Sequence, residues 1–267
     1  MMKYYIGLDS GSTMCKVVLL DDEKIVDCHS VKTGWNPKHT AEDVLETLLK
    51  RNELNRDDVC IASTGYGREA IDCAHHSFTE ITCHAYGGML LAPDIQGVID
   101  IGGQDSKVIQ IQDGKVANFL MNDKCAAGTG RFLSMACDTL EIALDEIDQF
   151  ADISNIIPIN SMCAVFAESE IIGLKSMQKD RSHIMSGVLE SIAQRIQQMT
   201  VKLDFDWTPD PRTAMCKPLL MTGGLSKSSV LMKMLSKAIG MDVISHDLAP
   251  YAGAIGACVC ALKKTSR

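Results

Sequence analysis

A short pattern occurs twice in this chain of 267 residues, and it constrains the fold more than any other feature. Asp9-Ser10-Gly11 precedes Lys16-Val17-Val18, and Asp100-Ile101-Gly102 precedes Lys107-Val108-Ile109. In both copies the glycine stands two residues after the aspartate and the lysine seven after it. Each copy follows a β-rich run (Tyr5-Ile6-Gly7-Leu8, then Gly97-Val98-Ile99) and leads into another that ends at Asp21-Asp22 or Asp113-Gly114. That order reads as strand, glycine-bearing turn, strand: one hairpin built in two places. Two carboxylate-tipped, glycine-lined hairpins facing each other are suited to gripping a metal-bound polyphosphate from both sides.

Helical patterns follow each copy. The first hairpin region, about 4–31, leads through Thr33-Gly34-Trp35-Asn36-Pro37 to a helix expected to be capped by Thr40, with Val44, Leu45, Leu48 and Leu49 at helical spacing. A strand at Val59–Ala62, a turn at Ser63–Arg68 and a helix from about 82 to Pro93 come next, the last carrying Ala85, Gly87 and Gly88. In the second half, helices are expected at about 127–141, after Lys124–Gly128, and at about 164–179, after Met162-Cys163. Another is expected from Ser182 to about Leu203, followed by a connecting loop at 207–217 with Pro209 and Pro211. A buried strand at Leu219–Met221 runs into Thr222-Gly223-Gly224 and a further helix, and Pro250–Ala257 opens a last helix rich in small residues. The expected fold class is α/β, with two halves related by a pseudo-twofold.

The formal net charge of −8 argues against a nucleic-acid or membrane-surface footprint. No apolar run approaches bilayer length and no signal peptide is apparent, so a cytoplasmic location is expected. Eleven cysteines are many for such a chain. Without a secretory signal they are not read as a disulfide framework, and most read as small buried hydrophobes.

Polyphosphate binding needs inward-pointing backbone N–H groups with no side chains in the way, and carboxylates for Mg²⁺ or its waters. Asp9, Gly11, Ser12 and Thr13 meet these needs once; Asp100, Gly102, Gly103, Gln104 and Asp105 meet them again. Lys16 is placed to reach a phosphate as a point charge, and Gly223-Gly224 would let the backbone approach adenosine. A lone Asp-x-Gly is more often only a hairpin turn, and a lone Gly-Gly only a strand-to-helix corner. In this order and spacing the segments resemble the phosphate-1, phosphate-2 and adenosine segments of the actin-like ATPase superfamily, which includes sugar kinases and actin. No P-loop motif is present. The resemblance implies two ribonuclease-H-like (actin/hexokinase-type) halves, residues 1–93 plus 251–267 and residues 94–250, with ATP or ADP in the cleft between them. Mg²⁺ would then be held by Asp9 and Asp105, directly or through water. Gln104 and Asp105 stand where a side chain beside the γ-phosphate orients or deprotonates the nucleophile; Asp105 serving only a metal-bound water is an equal reading.

Cys125 and Cys163 each precede an expected helix, where exposed N–H groups and the dipole favour thiolate and anionic clusters. A 4Fe–4S cluster needs four thiolates, so a twofold dimer sharing one cluster would complete the set. The stretches Asp100–Asp105, Asn122–Phe132, Cys163 with Val165–Glu170, and Met221–Gly224 closely resemble the activator component of 2-hydroxyacyl-CoA dehydratases, grouped with the ATPase subunits of benzoyl-CoA reductase. By that resemblance Cys125 and Cys163 of each subunit of a homodimer hold one 4Fe–4S cluster, and Gly128 and Gly130 join the cofactor-binding set. It further implies ATP-driven delivery of a low-potential electron to a dehydratase, with ferredoxin or flavodoxin as donor, in anaerobic metabolism. Cys73, His75, His76, Cys83 and His84 form a weaker zinc candidate whose spacing matches no ordinary zinc module. A small-molecule kinase on the same fold and a non-hydrolysing nucleotide-binding regulator are the alternatives.

Overall fold

The computed structural model describes residues 4–160, 163–209 and 216–266. Ser161 and Met162 of the second cysteine motif, and residues 210–215 of the expected 207–217 loop with Pro211, lie outside the described residues. The chain divides into two compact units: Met1–Asp94, Ile111–Val116 and Leu248–Arg267 form the first, and Ile95–Gln110 and Ala117–Asp247 the second.

The first unit opens with β1 (Tyr4–Ser10), β2 (Met14–Asp21) and β3 (Lys24–Lys32). Then come α1 (Pro37–Arg51), β4 (Val59–Thr64), β5 (His76–Ser77) and α2 (Glu80–Leu91). Its sheet has the order β3-β2-β1-β4-β5, antiparallel from β3 to β1 and parallel from β1 to β5. Alternation along β1 explains how both sheet faces are buried. Ile6 and Leu8 pack with Val44, Leu45, Leu48 and Leu49 of α1, whereas Tyr5 faces a separate cluster with Cys60 and Cys83.

The helix expected to be capped by Thr40 begins earlier. Asn36 is the cap, its side-chain oxygen accepting from the His39 N–H at 3.2 Å, and Pro37 takes the first helical position, which its fixed φ suits. Thr40 lies inside the first turn and donates its hydroxyl back to the Thr33 carbonyl at 2.8 Å. Thr79 caps α2, and the helix stops just before Pro93.

The second unit contains β6 (Gly97–Ile101), most of β7 (Ser106–Gln112) and of β8 (Lys115–Asn122), and α3 (Gly130–Leu140). They are followed by α4 (Ile147–Phe150), α5 (Ala164–Ser176), α6 (Arg181–Thr200), β9 (Leu219–Gly223), α7 (Ser229–Ile239) and β10 (Val243–Ile244). Its sheet order, β10-β9-β6-β7-β8, repeats that of the first sheet strand for strand. The repeated sequence pattern is therefore a repeated topology. One apolar core, from Ile99 and Phe132 through Leu189 to Leu235, lies under this sheet. Here α3 starts at Gly130 rather than about 127, because Gly128 turns the chain at φ +86° and Thr129 serves as the cap.

The chain closes with α8 (Ala252–Thr265) in the first unit, entered through a 3₁₀ turn at Ala249–Tyr251 rather than directly from Pro250. Small residues let its backbone wedge between α2 and β1. A Cβ on Gly256 would stand 1.7 Å from the Cys83 carbonyl oxygen, and one on Gly7 would stand 1.9 Å from that of Ala254. Among the described residues no helix is long and apolar enough to cross a membrane.

Candidate functional site

The seven-residue spacing from aspartate to lysine in each copy has a direct structural cause. Across each hairpin the aspartate and lysine are register partners, Asp9 opposite Lys16 and Asp100 opposite Lys107. Directly opposed side chains on one sheet face lie within reach of each other. Each lysine accordingly pairs with its aspartate, Lys16 Nζ at 3.4 Å from Asp9 Oδ2 and Lys107 Nζ at 3.3 Å from Asp100 Oδ2.

In the first unit the turn after β1 is held from two sides. The Gly11 N–H donates to the Met14 carbonyl at 3.1 Å, while the Thr33 hydroxyl and N–H donate to the carbonyls of Gly11 (2.7 Å) and Thr13 (2.9 Å). The Gly67 N–H donates to the Ser10 carbonyl at 2.9 Å. Ser12 and Thr13 form the exposed tip. With the turn's carbonyls engaged, the tip offers backbone N–H groups, as an anion requires. Asp9 is almost fully buried below it. Two glycines make room for its carboxylate: a Cβ on Gly65 would meet Oδ1 at 2.7 Å, and one on Gly253 would meet Oδ2 at 2.8 Å and His84 Nε2 at 3.0 Å. Burial pushes the neighbouring Cys15 thiol up to about 12, with the charge of Asp9 adding to the effect.

In the second unit the Gly102 N–H donates to the Asp105 carbonyl at 2.9 Å and closes the turn. Gln104 is exposed at its tip. Asp105 Oδ2 lies 2.7 Å from Lys107 Nζ, and the Thr222 hydroxyl donates to Asp100 Oδ1 at 3.1 Å. Gly223, at φ +84°, passes so close to β6 that a Cβ there would stand 2.4 Å from the Ile101 carbonyl oxygen; at Gly224 a Cβ would meet open space. The turn between β6 and β7 is also fastened to the segment that carries Cys125. Gly130 and Arg131, at the start of α3, donate their N–H groups to the carbonyls of Gly102 and Gly103, both at 2.9 Å.

Of the two singled-out cysteines, Cys163 sits as expected and Cys125 does not. Cys163 is the cap residue of α5, directly before Ala164, and its side chain makes no capping hydrogen bond. Cys125 lies five residues before α3, in a loop rather than at the helix terminus, so the dipole argument applies to Cys163 alone. The loop has its own supports. The Asn122 amide donates to the carbonyls of Cys125 and Ala127, both at 3.0 Å, and Arg195 of α6 brings Nη2 to 3.6 Å from Cys125 Sγ. Gly128 admits the Arg195 stem, since a Cβ there would stand 2.8 Å from Arg195 Cγ. The eleven cysteines, all among the described residues, form no disulfides. Burial pushes Cys137 up to about 11 and raises Cys258 further, so these remain protonated core residues. Of the zinc candidates, Cys83 is fully buried in the core and His75 Nδ1 accepts from the Ile61 N–H at 2.9 Å. Among the described residues no three His, Cys, Asp or Glu side chains gather as metal ligands.

Residues 6–261 match the model of the BadF/BadG/BcrA/BcrD ATPase family. The chain belongs to this family. It is 35% identical over 267 residues to the (R)-2-hydroxyglutaryl-CoA dehydratase activating ATPase of Acidaminococcus fermentans, covering 99% of each chain. Among solved structures, the Acidaminococcus fermentans (R)-2-hydroxyglutaryl-CoA dehydratase component A superposes with a TM-score of 0.90 at 33% identity, over 99% of each chain. The activator of the 2-hydroxyisocaproyl-CoA dehydratase from Clostridium difficile, with bound ADPNP, superposes with a TM-score of 0.87 at 34% identity, over 98% of this chain and 96% of that one. The fold is thus the actin-like ATPase fold of two α/β halves, and the chain is an ATPase of this family.

Four features of the family member escaped sequence reasoning. Lys107 was visible as the repeat's second lysine, yet only its burial shows that it carries two carboxylates. Thr222 lay inside the expected adenosine motif, but its bond to Asp100 depends on β9 pairing with β6. Arg195 and Gly253 are far from their partners in sequence, and nothing local marks them.

Proposed function

We propose that the chain is the activator of a 2-hydroxyacyl-CoA dehydratase, in which ATP hydrolysis drives delivery of one low-potential electron to the dehydratase. The relatives named above support the partner class. The observation that carries the coupling is the pair of bonds from Gly130 and Arg131 to the phosphate-2 turn. A change in that turn on nucleotide binding or hydrolysis is passed through two short backbone bonds to the segment that begins at Cys125. A nucleotide drives such a change only through its differential affinity for the two states.

Asp9, Gly11, Ser12, Thr13 and Lys16 bind phosphate from the first unit; Asp100, Gly102 and Gly103 do so from the second. Gly128 and Gly130 shape the segment that follows, and Gly223 and Gly224 receive adenosine. Gln104 and Asp105 form the catalytic pair. The carboxylate of Asp9 and, through a bound water, that of Asp105 suit Mg²⁺, a hard cation that takes oxygen ligands and keeps several waters. Cys125 and Cys163 are half-buried thiols outside any disulfide and in the same unit, the donor chemistry an iron–sulfur cluster needs. Two thiols are half of a cubane's set, so the reading places one 4Fe–4S cluster between the subunits of a homodimer. When bound, the cluster supplies the one-electron redox step, with reduced ferredoxin or flavodoxin as donor, in the cytoplasm of an anaerobically growing cell.

Anaerobic purification followed by a visible spectrum and an iron count tests the ligand assignment. About four irons per two chains are expected. Cys125→Ala and Cys163→Ala should each lose the chromophore and keep nucleotide affinity; a retained cluster in either variant refutes the assignment.

A further inference from the structure

We propose that Lys107 is a positioning residue for ATP hydrolysis, drawing Asp105 back into the phosphate-2 turn and leaving Gln104 to orient the attacking water. The proposal rests on the catalytic pair named above and decides between its members. Lys107 is 2% exposed, and an ammonium so buried must be compensated by opposite charge. Its Nζ meets Asp100 Oδ2 at 3.3 Å and Asp105 Oδ2 at 2.7 Å. Lys16 is its counterpart in the first hairpin, with a side chain 15% exposed and, among the described residues, an ion pair to Asp9. The two lysines of the repeat therefore differ in duty. Lys16 keeps access to a ligand, whereas Lys107 is committed to its own hairpin.

Asp105, its side chain 26% exposed, is held in the turn at its carbonyl and at Oδ2. Its carbonyl accepts the Gly102 N–H, Oδ2 faces Lys107, and Oδ1 lies 2.7 Å from the point a Gly102 Cβ would occupy. To act as a base on a water beyond the tip, the carboxylate would have to leave Lys107 and swing out of the turn. Gln104 needs no such movement, being exposed at the tip. Its neutral amide has an oxygen to accept from a water and an NH₂ to donate to a phosphate oxygen. In the step so arranged, the water oxygen bonds to the γ-phosphorus as the bond from that phosphorus to the β,γ-bridging oxygen breaks. The water proton passes to a γ-phosphate oxygen, giving ADP and inorganic phosphate. No protein base is consumed, in keeping with phosphoryl transfer as a positioning problem.

The test is steady-state ATP turnover by the full chain with Mg²⁺, with ADP affinity measured alongside. Gln104→Ala should lower kcat by about 10²-fold or more while KM stays within about threefold. Asp105→Asn keeps the shape and a hydrogen-bonding oxygen, and should cost about tenfold or less in kcat. Lys107→Met should lower kcat with little change in KM, and Lys107→Arg should recover part of the loss. Because Lys107 acts through Asp105, adding Asp105→Asn to Lys107→Met should cost nothing further. Asp105→Asn as damaging as Gln104→Ala, or Gln104→Ala with wild-type turnover, overturns the proposal; so do additive losses in the double variant. Should Lys107→Met fail to fold, the comparison of Gln104→Ala with Asp105→Asn still decides. A wild-type chain without ATP turnover would instead refute the ATPase reading and carry this proposal with it.

Discussion

Gly256→Ala should destabilise the first unit although alanine is the better helix former. The added Cβ would lie 1.7 Å from the Cys83 carbonyl oxygen, 2.4 Å from its carbonyl carbon and 2.7 Å from its Cα. These are backbone atoms of α2, so no side chain can rotate away. Ordinary contact begins near 3.4 Å, so α8 and α2 must separate by about 1.7 Å along that line. Overpacking of this kind costs about 3 kcal/mol or more, and the helix preference of alanine over glycine returns about 1 kcal/mol. The net loss of about 2–3 kcal/mol corresponds to a fall of about 4–12 °C in Tm. Gly253→Ala is the internal control on the same helix. The atoms nearest its Cβ belong to the side chains of Asp9 and His84 rather than to backbone, so Tm should fall less than for Gly256→Ala, while ATP turnover falls because the Asp9 carboxylate is displaced. Calorimetric melting of both variants and the parent chain, with turnover measured in parallel, checks both halves. A Gly256→Ala melting point equal to or above the parent's refutes the packing argument.

Two further predictions follow from the thiols and their surroundings. Arg195→Met removes the guanidinium beside Cys125, and loss of about 1 kcal/mol of local restraint should speed amide exchange over 122–128 about fivefold while β6 is unaffected; unchanged exchange there means that Arg195 does not hold the loop. The thiols' contribution to stability should be level below about pH 9 and fall as pH rises toward 11–12, because Cys15, Cys73 and Cys137 ionise near 9 when unfolded but near 12, 11 and 11 when folded. The unfolded chain then holds fewer protons than the folded one, which fixes the sign. Denaturant titrations of the reduced protein at pH 8, 9 and 10 read this out, and rising stability across that range contradicts the burial of those thiols.

The pieces legible in the sequence are those whose signal is local. The two hairpins were readable because aspartate, glycine and lysine all lie within eight residues, and the spacing encodes a cross-strand register. Cys163 at the start of α5 was readable for the same reason. The start of α1 was misplaced because Thr40 resembles a cap, yet Asn36 followed by Pro37 satisfies the first turn better. The start of α3 was placed too early because Gly128 and Thr129 look helical only when the φ of +86° at Gly128 is unknown. What stayed hidden is set by tertiary neighbours. Lys16 and Lys107 are equivalent in sequence, and only burial separates a lysine that can reach a ligand from one that serves its own turn. Arg195 meets Cys125 across seventy positions, through the packing of α6 beneath the second sheet.

In the proposed function, ATP hydrolysis gates an electron. The most direct measurement of that gating is stopped-flow absorbance of the anaerobically reduced chain mixed with a 2-hydroxyacyl-CoA dehydratase component. With MgATP, the cluster absorbance should change to that of the oxidised form as the dehydratase gains activity, one electron per cluster. With MgADP, or with Gln104→Ala and MgATP, the chain should stay reduced on the same timescale. Transfer at the same rate without nucleotide, or ATP turnover with no electron delivered, would contradict the account.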